Sequence, residues 1–216
     1  MTTRDRKSAE DRKAEIVDAA LRLAGDSGPD RLTTEALAKA VGISQPGIFR
    51  HFPSKANIWE AVAERIGTRL SANAAKSEKK SGRPIDQLRS FVTGHLSFIE
   101  KIPAIPAILF SRELHAENDK LRAFFAGMMA RRQAHLSDLI AAEIKAGRFD
   151  KALDPDDGAC LILALIQGLA MRWSLSARAF DLVEEGRRLL ELQLDGFRNA
   201  QRPTKDRSKV NRKLQK

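Results

Sequence analysis

The stretch from Thr33 to Lys55, TTEALAKAVGISQPGIFRHFPSK, constrains the fold of this chain more than any other. In it the small residue Ala38 stands four positions before Gly42 and ten positions before the aliphatic Ile48. In a pair of short helices, a small residue admits the neighbouring helix, and glycine tolerates a positive φ at the turn. The aliphatic side chain then fills the space between the two helices. This spacing predicts a helix-turn-helix, although an ordinary helical hairpin would also satisfy it.

The residues around the turn favour a surface that faces nucleic acid. Ser44 stands at the natural N-cap of the second helix, and Pro46 is tolerated in its first turn because amides there lack partners. No acidic residue occurs between Glu35 and Glu60, whereas several basic or ionisable side chains do. A neutral-to-basic window inside an acid-containing region is what contact with phosphates requires. The segment therefore predicts DNA reading rather than a simple hairpin.

The net charge of +10 is weaker support for DNA binding, because it is unevenly placed. More than half of the excess lies in 201–216, which holds seven Lys and Arg against one acidic residue. We expect this end to be a disordered basic tail, which either solubilises the protein or adds non-specific affinity for phosphate. The basic residues that precede the first helix, Arg4, Arg6, Lys7, Arg12 and Lys13, could form an arm for the minor groove or a solvated leader.

The rest of the chain has helical periodicity and lacks sustained strand-like alternation, which predicts an all-α fold. A first helix should end near Asp26, and Pro53 and Ser54 should open a fourth helix after the helix-turn-helix pair. The polar run 76–84 predicts a break, and Pro103 and Pro106 force a new helix start. Further helices are predicted at 34–41, 44–52, 85–100, 119–146 and 155–176, with a last one that carries an apolar stripe from Leu182 to Phe197.

The stretch GISQPGIFRHFPSKANIW resembles the signature of the TetR/AcrR family, in which a glycine turn leads to a very short recognition helix followed by an aromatic residue, His-Phe and Pro-Ser-Lys. The resemblance covers roughly Ile16 to Leu70 and is only architectural beyond that point. It implies about nine helices, namely an N-terminal three-helix DNA-binding domain and a C-terminal helical domain for ligand binding and dimerisation. We place these domains at 1–56 and 57–200, and the basic tail at 201–216.

Carried over residue by residue, the resemblance implies the DNA contacts. Gln45 can pair with adenine, and Arg50 reads guanine or clamps a phosphate. This chain departs from the family at Phe49, where a tyrosine is usual, and at Gly47, which has no side chain. Few base contacts are therefore expected, and recognition should depend more on phosphate contacts and on the shape of the DNA. The implied base-reading residues are Gln45, Pro46, Gly47 and Arg50, and the implied phosphate contacts are Thr33, Thr34, Ser44, Phe49, His51 and Lys55.

Two C-terminal helices carry more apolar surface than one buried face needs. Residues 159–175 are apolar nearly all round, so every side of that helix must be covered. A second subunit can supply the cover in a symmetric four-helix interface, or both helices can close the core of their own subunit. The predicted contacts of the homodimer are Leu161, Leu165, Leu169, Leu189, Leu190, Gln193 and Phe197.

Aromatic and methionine residues concentrate between Phe91 and Met129, where they could line an apolar cavity for a lipophilic effector or simply pack the core. The candidate lining residues are Phe91, His95, Phe98, Phe110, Phe125, Met128, Gln167 and Trp173. His95 has no second His, Cys or carboxylate pair at metal-ligand spacing near it, so no metal site is predicted. The sequence predicts no catalytic residue and no cofactor either. The lone Cys160 is expected to be buried and structural, in a reducing cytoplasm.

These features predict a cytoplasmic, nucleoid-associated repressor that a small molecule releases from a near-palindromic operator. The alternative is a DNA-bound structural or cell-division regulator on the same scaffold, without an inducer. No glycine-rich phosphate loop, GxSxG, HExxH or CxxC motif occurs, so the sequence does not predict an enzyme. The N-terminus has no apolar stretch typical of a secretory signal, and the apolar run 159–173 is shorter than a bilayer requires.

Overall fold

The computed structural model describes the backbone of residues 8–78 and 82–198, and the side chains of residues 8–72 and 82–198. The regular structure of this part of the chain is entirely α-helical, which confirms the predicted fold class. Its helices are α1 (Ala9–Ser27), α2 (Thr34–Val41), α3 (Gln45–His51), α4 (Lys55–Glu78), α5 (Pro84–Lys101), α6 (Ala104–Phe110), α7 (Arg112–Glu117), α8 (Asp119–Lys145), α9 (Pro155–Leu175) and α10 (Leu182–Arg198).

The N-terminal helix α1 is capped by Ser8, whose hydroxyl accepts a hydrogen bond from the amide of Asp11, and it is followed by Gly28, which adopts a φ of 88°. Its buried face includes Ile16, Ala20 and Ala24, spaced at i, i+4 and i+8. This face packs on α2, α4 and α6. Helix α1 therefore joins the predicted helix-turn-helix to the rest of the molecule.

Helix α4 connects the two halves of the chain. Ile58, Val62, Ile66 and Leu70 are all buried, as their spacing predicts, and the helix packs on α1, α5 and α8. Asp18 of α1 accepts charge-assisted hydrogen bonds from two arginines on the exposed side of α4 (Arg65 and Arg69), at 3.4 and 3.2 Å. Helix α4 is therefore joined to α1 both by its buried apolar side and by ion pairs at the surface.

The C-terminal half is built on α5, α8, α9 and α10, which pack against one another. At one end the buried carboxylate of Glu143 accepts a hydrogen bond from the backbone amide of Ile85 at 3.0 Å. The guanidinium of Arg148 binds the same carboxylate at 2.6 Å and holds the pKa of Glu143 below its usual value. Buried apolar side chains form one continuous cluster from Ile16 to Phe197, so the two halves of the chain share one hydrophobic core.

The chain differs from the prediction mainly between residues 104 and 117. Two short helices occur there, because Ser111 ends α6 and its hydroxyl caps α7 by accepting the amide of Leu114. Ten helices are therefore present in the described residues, one more than the resemblance implies. The basic tail, Arg4, Arg6 and Lys7 lie outside the described residues, as do 79–81 of the predicted polar break.

Helix α9, Pro155–Leu175, has almost the bounds predicted for it. It is longer than the apolar run 159–173, so by length and composition alone it could cross a membrane; 44% of its most apolar window is buried in the protein, and the helix packs against α8 and α10. The structure corrects the expectation for Cys160, which is exposed in the subunit. It lies on the outward side of α9, one residue after the buried Ala159.

Candidate nucleic-acid interface

The turn between α2 and α3 has the geometry that its sequence predicts. Ala38 and Ile48 are buried, and Gly42 adopts a left-handed conformation with φ 74° and ψ 35°. The amides of Gly42 and Ile43 both donate to the carbonyl of Ala38, at 2.9 and 3.1 Å, which ends α2. The second helix is thereby fixed at a close crossing on the first, which distinguishes this unit from a loosely connected hairpin.

Three successive helices begin with a hydroxyl cap. The amide of Ala36 donates to Thr33 Oγ1 at 3.1 Å, that of Gly47 to Ser44 Oγ at 3.2 Å, and that of Asn57 to Ser54 Oγ at 3.2 Å. Each cap satisfies one amide, and the other first-turn amides carry the positive end of the helix dipole. The first turns of α3 and α4 contain no acidic residue. These helix starts are therefore suited to anions.

Gln45 is held in place by a side-chain hydrogen bond. Its Nε2 donates to Thr34 Oγ1 at 2.7 Å, which joins the first turns of α2 and α3. Both residues are half-buried, so part of each side chain remains accessible. The bond occupies one donor of the Gln45 amide and leaves its carbonyl oxygen and second N–H for another partner.

The predicted base-reading residues do not all lie on the same side of α3. Pro46 and Arg50 are exposed, and Arg50 has no hydrogen bond or ion pair with any described residue. Gly47 is buried, and a Cβ built on it would lie 3.3 Å from Ser44 Oγ and 3.5 Å from Ile43 Cβ. The expectation that Gly47 faces the groove is therefore not met, because its open side is filled by the preceding turn.

The residues implied as phosphate contacts surround the exposed face of α3. Phe49 is 42% exposed, unusual for an aromatic residue of its size. His51 is half-buried at the end of α3, and Lys55, also half-buried, is the first residue of α4. Thr33, Ser44, Phe49 and Lys55 thus lie on α3 or at the starts of α2, α3 and α4.

The predicted effector residues fall into two spaces rather than one. A closed crevice of about 20 Å³ is lined by His95, Phe110, Phe125, Met128 and Gln167 among others. Phe91 lines an open groove of about 690 Å³, which Met128 borders as well. Phe98 and Trp173 are buried and line neither space, because they pack into the core elsewhere.

The open groove contains residues that sequence reasoning missed. It lies between α4, α5 and α8 and is lined by Glu64, Gly67, Thr68, Ser71, Phe91, Phe124, Met128, Arg131, Arg132 and His135; we call it the α4/α8 groove. The signal was present in the sequence, since Arg132 interrupts the apolar stripe formed by Phe125, Met128, Leu136 and Ile140. An arginine within an apolar stripe is buried when that side of the helix packs into the core.

The predicted dimer contacts also divide into two groups. Leu161 is 51% exposed, and Leu165, Leu189 and Gln193 are half-buried. The other three, Leu169, Leu190 and Phe197, are buried in the core of their own subunit, so for these three the expected intersubunit contact is wrong. The position of each residue around its helix explains the division, because the three buried residues lie on the inward sides of α9 and α10. The outward side instead adds Leu192, which is 60% exposed.

Two family models match this chain. The model for bacterial regulatory proteins of the tetR family matches residues 16–62, and the model for the C-terminal part of BetI-type transcriptional repressors matches residues 84–198. The second match alone spans more than half of the chain. Together they cover both halves of the structure.

Curated relatives agree with the family models. The nucleoid occlusion factor SlmA of Actinobacillus pleuropneumoniae serotype 5b is 33% identical over 128 residues, which are 57% of this chain and 63% of that protein. The SlmA protein of Marinomonas sp. is 31% identical over 159 residues, 73% of this chain and 80% of the relative. The chain thus spans a little under two thirds of the length of the first relatives it matches.

Solved structures show the same fold. A TetR-family transcriptional regulator from Rhodococcus sp. superposes with a TM-score of 0.73 at 22% identity, covering 87% of this chain and 99% of the other. The fatty acid degradation regulator FadR from Bacillus halodurans gives 0.74 at 19% identity, covering 87% and 96%. The resemblance found in the sequence is therefore confirmed at the level of fold.

Proposed function

The chain belongs to the TetR family of bacterial regulatory proteins, and from this premise we propose that it is a transcription repressor that binds a near-palindromic operator as a homodimer. The observation that carries the proposal is the exposed side of α3, where Pro46 in the first turn and Arg50 in the last turn are accessible on a helix without acidic residues. We propose no catalytic role for this chain, because a regulator of this kind acts by occupying DNA.

In the proposed complex α3 enters the major groove. The remaining amide groups of Gln45 contact a base edge while its bond to Thr34 keeps the side chain oriented. Arg50 reads guanine or clamps a phosphate. Thr33, Ser44, Phe49, His51 and Lys55 approach the backbone and set the register of the protein on the duplex.

The dimer is proposed to form through the outward sides of α9 and α10. Leu161, Leu165, Leu189 and Leu192 give this face an apolar centre that water does not favour, and Gln193 lies beside them. The two copies of α3 must lie about 34–36 Å apart to enter successive major grooves together. In this assignment residues 1–56 read DNA, and 57–200 dimerise and bind an effector.

The effector is proposed to bind in the C-terminal half, beside α4. A ligand that prefers one arrangement of α4 over another would change operator affinity by its differential affinity for the two arrangements. The contact of α4 with α1, through Asp18 and the buried apolar face, supports this route to the DNA-binding helices.

Selection of genomic DNA fragments by the purified full-length protein tests the proposed function. We expect enrichment of a short two-fold-symmetric sequence upstream of genes, and anisotropy titrations should show binding that weakens steeply with salt. Indifference to duplex DNA at low ionic strength would refute the proposal, as would a monomer at micromolar concentration.

A second candidate is favoured by the relatives, which are named nucleoid occlusion factors. On this alternative the same helix-turn-helix holds the protein at many chromosomal sites, where it acts in the nucleoid without a small-molecule inducer. Mapping bound sites in cells by chromatin immunoprecipitation separates the two. Sites spread over the chromosome away from promoters would support the second candidate, and a few promoter sites would support the repressor.

A further inference from the structure

The α4/α8 groove has the size of a small-molecule site. Its volume of about 690 Å³ falls within the range of roughly 300–1,000 Å³ in which ligand pockets of proteins are found. One wall is α4, the helix that leads directly from the DNA-reading residues, and the opposite wall is α8. A ligand held there would touch the helix that joins the two halves of the chain.

Arg132 lines this groove as a buried cation. It is only 9% exposed, and its Nε–H has no hydrogen-bond acceptor in the described part of the chain. Its nearest polar contact, from Nη1 to His95 Nδ1, is 3.5 Å long, the outer limit of a hydrogen bond. Its Cζ lies 5.8 Å from the ring centre of Phe91. No ion pair joins it to any described carboxylate.

The charges around Arg132 do not compensate it. Among the described residues that line the groove, Arg131 is a second guanidinium, and the one carboxylate, that of Glu64, is exposed. Burial lowers the pKa of His95 to about 3, so this ring is neutral near pH 7 and supplies no counter-charge. Burial and Arg131 lower the pKa of Arg132 to about 10, which still leaves it protonated. The described lining of the groove is therefore positively charged around Arg132.

An unpaired guanidinium is expensive to bury, and a protein retains one where something pairs with it. Arginine also presents parallel N–H groups in a fixed plane that matches a carboxylate. The exposed side of the groove leaves room for such a group beside Arg132, because its lining there includes the small polar residues Thr68 and Ser71.

The inner end of the groove is apolar. Met128 borders both the groove and the closed crevice, whose other walls include Ile66, Leu163 and Ile166. The crevice holds about 20 Å³, roughly the space of one water molecule, so an apolar group can enter only if a side chain moves. Methionine adapts readily to such movement, because it is unbranched and has several rotatable bonds.

We propose that the α4/α8 groove binds a small organic anion, whose carboxylate pairs with Arg132 and whose apolar body extends past Met128 toward the crevice. The inference rests on the proposed function, since it names the chemical class of the effector. The polar anchor is then Arg132, and neither of the polar residues among the predicted lining residues, His95 and Gln167, takes that role. Gln167 instead donates to the sulfur of Met129 at 3.4 Å.

Calorimetric titration of the full-length protein in the absence of DNA tests this proposal. The probes are octanoate and octan-1-ol, which share a chain length and differ in charge. Octanoate should bind at least about tenfold more tightly than octan-1-ol, a difference that corresponds to about 1.4 kcal/mol. In Arg132→Met the two probes should bind with similar affinity, because only the charge is removed. A control on the same helix, Arg122→Met, should leave the preference unchanged, since Arg122 is exposed and pairs with Asp119 at 2.9 Å.

Several results would overturn the proposal. They are an absence of octanoate binding at millimolar concentration, equal binding of the two probes, and an unchanged preference in Arg132→Met. If Arg132→Met does not fold, Arg132→Lys keeps the charge but loses the planar fork, and its octanoate affinity should fall by severalfold while octan-1-ol binding is retained. Operator binding is measured separately by anisotropy, so that failure of the DNA-binding function and failure of this site are seen independently.

Discussion

Replacement of Gly42 by alanine isolates the conformational requirement of the helix-turn-helix. Gly42 has φ 74° and ψ 35°, and a Cβ built on it meets nothing within 4 Å. The substitution therefore creates no clash, and its effect comes from the backbone alone. A non-glycine residue in this left-handed region costs about 1–2 kcal/mol. Reduced freedom of the unfolded chain returns about 0.4–1 kcal/mol, so the net loss of stability should be about 1 kcal/mol.

Gly147 provides a matched control, because it has φ 72° and its Cβ would also meet nothing within 4 Å. It follows the end of α8, far along the chain from the DNA-reading residues. Urea denaturation should show a similar loss of unfolding free energy in Gly42→Ala and Gly147→Ala. Only Gly42→Ala should also weaken operator binding. If the turn relaxes to another conformation, restoring it on DNA binding would cost up to about 1.4 kcal/mol, which corresponds to a loss of affinity of about tenfold. Gly42→Asn should recover part of both losses, since asparagine tolerates this region better.

The measurements can refute this reasoning in two ways. If Gly42→Ala is as stable as the wild type, the left-handed turn is not what the folded chain requires at this position. If Gly147→Ala weakens operator binding as much as Gly42→Ala, the loss of affinity reports general destabilisation rather than the geometry of α3. Anisotropy titrations well below the urea midpoint keep all variants folded and make the comparison valid.

Four further predictions concern DNA reading, phosphate contact, assembly and pH. Gln45→Ala should reduce discrimination among operator variants by roughly 1–3 kcal/mol at one base pair, and an unchanged preference profile in a competition assay would remove it from base reading. Lys55→Ala should weaken specific and random DNA alike and lower the logarithmic salt slope by about one; a loss confined to the operator would contradict a phosphate role. Leu161→Glu combined with Leu192→Glu should give monomers by analytical ultracentrifugation, and a dimer that persists would place the interface elsewhere. Because Arg148 lowers the pKa of Glu143 in the folded protein, this carboxylate stabilises the fold above its unfolded pKa and loses that contribution as the pH falls through the folded value. Glu143→Gln should therefore flatten the acid limb of the stability profile, and an identical limb would show that other groups set it.

The sequence predicted the helix-turn-helix well because that unit depends on local chemistry. The cap at Ser44, the positive φ at Gly42 and the burial of Ile48 follow from residues within eleven positions of one another. Their geometry hardly depends on the rest of the chain. The same holds for the start of α9, where Asp154 caps a helix whose first residue is Pro155.

Predictions about the C-terminal half were less complete, because they depended on how helices face each other. A stripe along α10 marks residues that are buried, but it does not say whether their own subunit or a second one covers them. Leu190 and Leu192 illustrate this, since one is fully buried and the other 60% exposed. Gly47 shows the same difficulty on a small scale. Its place in the recognition helix was predictable, but the side it turns toward depends on Ser44 and Ile43.

The proposed effector site has two separable contributions, and only one of them can regulate DNA binding. Pairing with Arg132 increases affinity for an anion, but a ligand with equal affinity for both arrangements of the protein shifts nothing, however tightly it binds. The difference between arrangements must come from the walls of the groove. At Gly67 of α4 a Cβ would lie 2.7 Å from Phe124 Cζ, so α4 and this ring already meet with no space between them. A ligand body that enters there has to move the ring or α4. Since α4 begins at Lys55 and its buried face packs on α1, a shift of α4 would carry the helix-turn-helix with it. The apolar body of the ligand, rather than its charge, would thus determine how far operator affinity changes.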